Sequence, residues 1–294
     1  MYRDKKIIYI KAITSIHAGT GQTIESVDMP IQREKHSNIP KIEASSLKGA
    51  IKHSLYNKLR CDKNNDENNY NELYTMLGPE NADVNYASAL GFTDVKLLFF
   101  PIKSVKNIFK LITCPYVLKM WIENVKFENS IDCEKINDIQ LNLSEGSCIN
   151  IDGECEILEE YVFENEGKIH GELLNLLENI NGLDTQRIVI LNDSDFVDMV
   201  TMYTEVITRN KINVETGTAA DTGLFTEEYL PTESILYFTI LASPSFDNEN
   251  PKNSKDVIDY FNNQVDKVFQ IGGNSTIGKG FVEMLGKVKE NNNE

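Results

Sequence analysis

The sequence predicts an α+β fold, on three observations. Short apolar runs of strand character recur along the chain, and stretches with helical apolar spacing fall between them. The two kinds of segment alternate irregularly, with long polar insertions rather than a steady strand–helix rhythm. At 294 residues with 41% hydrophobic side chains, the chain can bury a substantial core. It has no internal repeat and no run of about 18 apolar residues, so no membrane span is expected.

The first strand is expected at 5–14, KKIIYIKAIT, where apolar residues alternate. Residues 17–44 read as a long loop rich in Gly, Ser, Pro and charge; loops of that length inside compact domains are uncommon and often functional. The segment 45–60, SSLKGAIKHSLYNKLR, predicts a helix capped by Ser45 or Ser46, with Leu47, Ile51, Leu55 and Leu59 as its buried stripe. Lys48 and Lys52 fall on another face, one turn apart. The Asn- and Asp-rich run 61–72 reads as a mobile loop, within a flexible insertion expected over 61–85. VKLLFFPI (95–102) predicts a strand, 114–126 a helix opening at Pro115, and 127–157 acidic irregular chain. QRIVILND (186–193) predicts a strand, followed over 193–202 by a short helix capped by Asp193 or Ser194. Residues 205–230 read as a hairpin with a small polar tip around Thr216–Thr222. A last apolar strand at 233–243 precedes a helix over 255–270, a glycine loop and a strand-like end, FVEMLGKVK.

Net charge is −16, which alone argues against a nucleic-acid partner. Its distribution is uneven. Residues 1–60 hold 11 Lys and Arg against 5 Asp and Glu, a local +6 on a remainder of −22. Such a basic segment can make a phosphate-binding face; by charge alone, chance clustering on a solvated helix face is the preferred reading. The five cysteines, Cys61, Cys114, Cys133, Cys148 and Cys155, are scattered without a C-x-x-C pair. That pattern argues against a disulfide framework and a zinc site, and suits reduced thiols in the cytoplasm. The N-terminus, MYRDKKIIYI, lacks a signal-peptide core and cleavage site.

Residues 271–280 read IGGNSTIGKG. Gly273 to Lys279 spell G-x-x-x-x-G-K, and Gly280 stands where an ATP-binding P-loop has Ser or Thr. A P-loop also joins a strand to a helix whose N-terminus faces phosphate; here the expected order is helix, loop, strand. ATP binding is therefore rejected. Two readings remain: a helix C-cap with a tight turn, or a backbone-amide cradle for a polynucleotide phosphate, with Lys279 as point charge.

Four stretches carry a family resemblance: VDMPIQREKHSNIPKIEASSLKGAIK (27–52), LGFTDVKLLFFPIKS (90–104), INVETGTAADTGLFTEEYLPTES (212–234) and IGGNSTIGKGFVEM (271–284). In this order they resemble the RAMP superfamily, and within it the repeating backbone subunits of type III-B CRISPR effectors, the Cmr complexes. The resemblance implies a ferredoxin-like (RRM-like) core forming one palm domain over 1–294, with 205–230 as an inserted thumb hairpin. It implies copies stacked in a filament along a guide crRNA beside other Cmr subunits. Complementary target RNA would be cut at regular intervals, where each thumb displaces a nucleotide, with Mg2+ or another divalent cation as cofactor.

Asp28 matches the family's catalytic aspartate. It is expected to hold the metal or act as base, since magnesium binds through one or two carboxylates plus substrate phosphate. As a residue alone it reads first as an aspartate in a turn before Pro30, hydrogen-bonded to its own backbone, and the resemblance reverses that preference. His17 is a second candidate, as general acid or base, although a lone histidine before a turn is more often structural. Glu227 and Glu228, at the end of the thumb, are also catalytic candidates; in an extended chain they face opposite ways, so at most one is aimed at the site, and both suit exposed edge charges. Arg33, Lys35, Lys48 and Lys52, with Ser45 and Ser46 at the helix start and Gly272, Gly273, Gly278 and Lys279 in the glycine loop, are expected to face the guide backbone. Two alternative functions stand beside target cleavage. One is a structural crRNA-binding subunit without activity. The other is a crRNA-processing endoribonuclease, which would want a poised histidine; only His17 lies near the site.

Overall fold

The structure, a computed structural model, describes residues 2–22, 26–62, 67–79, 87–128, 142–247 and 251–286. Parts of the insertion expected over 61–85, and Cys133, lie outside the described residues. The alternating first segment forms β1 (Asp4–Ala12). After the long loop come β2 (Lys41–Ile42), α1 (Ala44–Cys61) and α2 (Glu67–Leu77). Then follow β3 (Leu90–Phe92), β4 (Val95–Lys103), β5 (Phe109–Thr113) and α3 (Pro115–Glu128). The next stretch holds β6 (Ser147–Asn150), β7 (Glu156–Leu158), β8 (Tyr161–Lys168), α4 (Gly171–Glu178), β9 (Ile188–Leu191) and α5 (Asp193–Met202). The hairpin is β10 (Glu205–Ile212) and β11 (Ala219–Tyr229), and β12 (Ile235–Ala242), α6 (Ser254–Gln264), β13 (Val268–Gln270) and β14 (Phe281–Met284) complete the order.

Twelve strands join one mixed sheet, in the order β13-β14-β1-β12-β4-β5-β9-β6-β8-β7, with β2 on β4 and β3 on β12. Its centre is β14-β1-β12-β4, all antiparallel. Helix α1 follows β1 and α6 follows β12, so these elements make a β-α-β-β-α-β unit with β1 inside. Strands buried on both faces, such as β9 (IVIL) and β12 (ILYFTILA), read as unbroken apolar runs. Among the named strands, β10 and β11 pair only with each other, as a two-stranded hairpin separate from the main sheet.

Several expectations need correction. Ser45 and Ser46 do not cap α1. Its N-terminal residue is Glu43, without a side-chain cap, and the carboxylate that serves comes from elsewhere: Ala44 N–H donates to Asp94 Oδ1 at 2.9 Å. The run read as a mobile loop contains most of α2, because Leu73, Met76 and Leu77 recur at helical spacing and are buried. α5 is capped one residue earlier than expected, by the Asn192 side chain accepting from Ser194 N–H. α6 stops at Gln264; Phe269, spaced as a continuing helix, belongs to β13. The acidic stretch read as irregular contributes β6 and β7.

Candidate functional site

Three segments distant in sequence meet where the hairpin joins the sheet. Residues 14–19 leave β1, residues 28–33 return through the long loop, and residues 226–230 end β11. Ile16 and Leu230 exchange backbone hydrogen bonds at 2.9 Å. Met29 pairs in parallel with Glu227: Met29 N–H donates to Thr226 O, and Glu228 N–H to Met29 O, both at 3.0 Å. The loop thus lies as a short third strand along the base of the hairpin.

Asp28 begins that strand, half-exposed. Its Oδ2 accepts from the Thr226 N–H at 2.7 Å and from the Thr226 hydroxyl at 2.9 Å. Its own N–H donates to Thr226 Oγ1 at 3.0 Å. The Thr226 amide, then its hydroxyl, stabilise the ionised form and hold the Asp28 carboxyl below its ordinary value. A carboxylate so fixed can orient a water, a hydroxyl or a cation; it is a poor proton store at neutral pH.

Glu227 and Glu228 face opposite ways, as adjacent strand residues must, but neither is an exposed edge charge. They are 4% and 5% exposed. Glu227 Oε2 accepts from Arg209 Nη1 at 2.6 Å, from the Tyr229 hydroxyl and from Asn274 Nδ2 at 3.1 Å. Burial raises the Glu227 carboxyl, but the Tyr229, Arg209 and Asn274 donors outweigh it and leave it below the ordinary glutamate value. Glu228 Oε1 accepts from Arg33 and from the Thr204 hydroxyl, and its Oε2 from Ile31 N–H at 2.9 Å. Both carboxylates are occupied in holding the loop, the hairpin and the glycine loop together.

His17 is buried under the glycine loop. Its Nδ1 lies 2.7 Å from Glu228 O. A carbonyl only accepts, so Nδ1 carries the proton and donates. The opposite nitrogen, Nε2, faces Gly19, where an added Cβ would come within 2.7 Å of it. The His17 carbonyl accepts from Gly273 N–H at 2.8 Å.

The glycine loop turns β13 into antiparallel β14. The segment before it is a strand rather than the expected helix, and the element after it is the strand β14, so the strand-to-helix order of an ATP-binding loop is still not met. Gly272 and Gly280 are imposed by close packing as well as positive φ: an added Cβ would lie 2.4 Å from His17 O and 2.0 Å from Ile271 O. Gly278 has φ +78 in open space. The amides of Asn274, Ser275 and Thr276 meet no acceptor among the described residues. Lys279 Nζ sits 4.8 Å from the centre of the Tyr229 ring.

The basic residues do not share one outward face. Arg33 donates to Val200 O at 3.2 Å and to Asn38 O at 2.9 Å besides its pair with Glu228. Lys48 donates to Ser88 Oγ at 2.8 Å, and Lys52 to Gly78 O at 2.9 Å. The reason is that α1 packs against α2 and the segment after it, so its lysines bridge to that neighbour. Lys35 is exposed without an ion pair among the described residues. Ser45 is exposed beside an α1 N-terminus already served by Asp94. Thr226, Arg209, Tyr229 and Asn274, which complete the site, carried no sequence signal, because each meets its partner only through the fold.

Among the described residues no three His, Cys, Asp or Glu side chains converge on a metal position. The donor set offers Asp28 alone, so a divalent cation fits here only where RNA supplies further oxygens. No helix among the described residues is long and apolar enough to cross a membrane.

Comparison with known proteins gives a consistent result. The chain is 31% identical over 302 residues, 97% of each chain, to the "CRISPR system Cmr endoribonuclease Cmr4" of Pyrococcus furiosus. It is 28% identical to the "CRISPR system CMR subunit Cmr4" of Saccharolobus solfataricus, covering 96% of each. In fold it is similar to a chain of the type III-B Cmr-beta complex bound to cognate target RNA, with TM-score 0.76, 23% identity and 97% of each chain covered. It is also similar to oligomeric Cmr4 from P. furiosus, with TM-score 0.68 and 24% identity over 97% of this chain and 100% of the other. The profile of the RAMP superfamily matches residues 9–283, and the chain belongs to that superfamily.

Proposed function

We propose that this chain is the repeating backbone subunit of a type III-B CRISPR effector, binding guide crRNA and cutting the complementary target RNA at regular intervals. Kinship to a Cmr endoribonuclease over nearly the whole length supports the activity. The likeness to chains of a target-bound complex and of an oligomer supports the fold that such a subunit needs. We take the other copies, the remaining Cmr subunits and both RNAs as partners, the cytoplasm as the compartment, and the whole chain as one palm domain carrying the thumb.

The observation that carries the chemistry is Asp28. It is the one candidate carboxylate at the thumb base that is half-exposed, ionised and held in place by neutral donors. In-line attack at phosphorus needs an oriented nucleophile and compensation of charge on the phosphate oxygens. The Asp28 carboxylate would orient the attacking hydroxyl, or share with RNA phosphate a hydrated Mg2+ or other divalent cation. That cation would supply charge compensation for the phosphate. We assign His17, Glu227 and Glu228 to holding the frame rather than to moving protons. We assign RNA phosphate to the exposed amides of Asn274–Thr276 with Lys279, and to Lys35, with base pairing reading the sequence.

The test is the complex reconstituted with guide RNA, given labelled complementary RNA with and without Mg2+. Periodic products should vanish in Asp28→Ala and on chelation, with RNA still bound. Cutting that persists in Asp28→Ala would remove Asp28 from the reaction. Binding without cutting by the wild-type complex would leave a scaffold, and efficient cutting of unpaired repeat RNA would make it a processing enzyme.

A further inference from the structure

We infer that Thr226 is the positioning residue of the reaction, and that through it the thumb strand β11 sets the orientation of the Asp28 carboxylate. The inference deepens the function proposed above and rests on Asp28 acting in cleavage.

Thr226 and Asp28 make a reciprocal clasp. The Thr226 amide and hydroxyl both donate to Oδ2, at 2.7 and 2.9 Å, and the same hydroxyl oxygen accepts from Asp28 N–H at 3.0 Å. A hydroxyl has one proton to give, and here it goes to the carboxylate while a lone pair takes the amide. Three bonds therefore fix both the backbone and the side chain of Asp28. The next residue extends the contact, with Met29 N–H donating to Thr226 O at 3.0 Å. No other side chain is hydrogen-bonded to the Asp28 carboxylate among the described residues. Thr226 lies on the hairpin, 198 residues along the chain from Asp28. Any displacement of the hairpin's base by RNA is thus transmitted directly to the carboxylate.

Supporting partners of this kind are worth roughly 10- to 100-fold in activity. The experiment uses the reconstituted complex with guide and target RNA, measuring single-turnover cleavage and target affinity separately. Thr226→Val keeps the backbone amide and the shape but loses the hydroxyl. It should slow cleavage roughly 10- to 100-fold with target affinity unchanged, and Thr226→Ser should restore most of the rate. If valine at this position hinders assembly, Thr226→Ala removes the same hydroxyl and gives the same comparison. Wild-type rates in both hydroxyl-free variants, while Asp28→Ala is inactive, would overturn the inference and leave the proposed function standing. So would a serine variant as slow as valine, or a loss of affinity that accounts for the lost rate. Full activity in Asp28→Ala would instead overturn the function on which the inference rests.

Discussion

At the residue scale, the site is organised by carboxylates whose uses differ with their partners. Asp28, Glu227 and Glu228 are chemically alike, yet two are buried among cations and hydroxyls and one is open. Glu227 makes a prediction about stability. Its folded-state value lies below the ordinary glutamate value of about 4.3, so the unfolded chain takes up its proton first as the pH falls. The stabilisation is therefore complete above that ordinary value and is lost as the pH drops through the lower folded one. Glu227→Gln should cost roughly 1.5–3 kcal/mol near neutral pH, the worth of hydrogen bonds to a charged group. The difference from wild type should shrink as the pH falls below about 4. Urea unfolding of both proteins across that range checks it; a difference constant with pH would mean that the ionised carboxylate contributes nothing. Sequence reasoning reached the opposite facing of Glu227 and Glu228, because alternation along a strand is local. It could not reach their burial, because Arg209, Asn274 and Arg33 come from other segments.

At the element scale, the glycine loop separates two uses of glycine that its sequence presents alike. Gly272→Ala would drive a Cβ to 2.4 Å from His17 O at φ +78 and should cost roughly 3 kcal/mol or more. Gly278→Ala faces open space, so only its left-handed backbone is penalised, by about 1–2 kcal/mol. Gly273 has no such φ, and its Cβ would make an ordinary 3.5 Å contact with the His17 ring, so Gly273→Ala should stay within about 0.5 kcal/mol. Thermal unfolding of the three variants gives the ranking, and equal losses would refute the packing account. Because Gly273→Ala leaves the fold intact, it is also the variant on which reduced RNA binding would report phosphate approach. The motif showed that the loop was special, but not that His17 was the group packed beneath it. Other elements were legible in proportion to their local pattern. β1, α1, β4, α3 and β12 follow clear apolar spacing, whereas α2 is Asn-rich and is helical through burial of Leu73, Met76 and Leu77. β8 fully buries Phe163 alone, and gains its order by pairing with β6 and β7.

At the scale of the whole molecule, an acidic chain that binds RNA must do so through few cations, and the partners its basic side chains find on folding narrow the candidates. The sequence concentrates basic residues in its first 60 positions, and a simple reading makes them one phosphate face. Folding spends several of them internally: Arg33 on Glu228, Lys41 on Asp94, Lys48 and Lys52 on the chain beyond α2. Lys35 and Lys279 keep ammonium groups without a carboxylate partner among the described residues. For single strands, the logarithm of the binding constant falls with the logarithm of salt by about 0.7 per phosphate neutralised. Lys35→Ala and Lys279→Ala should each flatten that dependence by about 0.7. Lys48→Met, which removes a half-buried lysine bonded to Ser88, should leave the slope unchanged. Titrating the purified full-length chain with a single-stranded RNA over a range of salt concentrations measures all three. If Lys48→Met flattened the slope as much as Lys279→Ala, the helix face inferred from sequence would be the true phosphate track. The lysines of α1 would then have to leave their partners when RNA arrives.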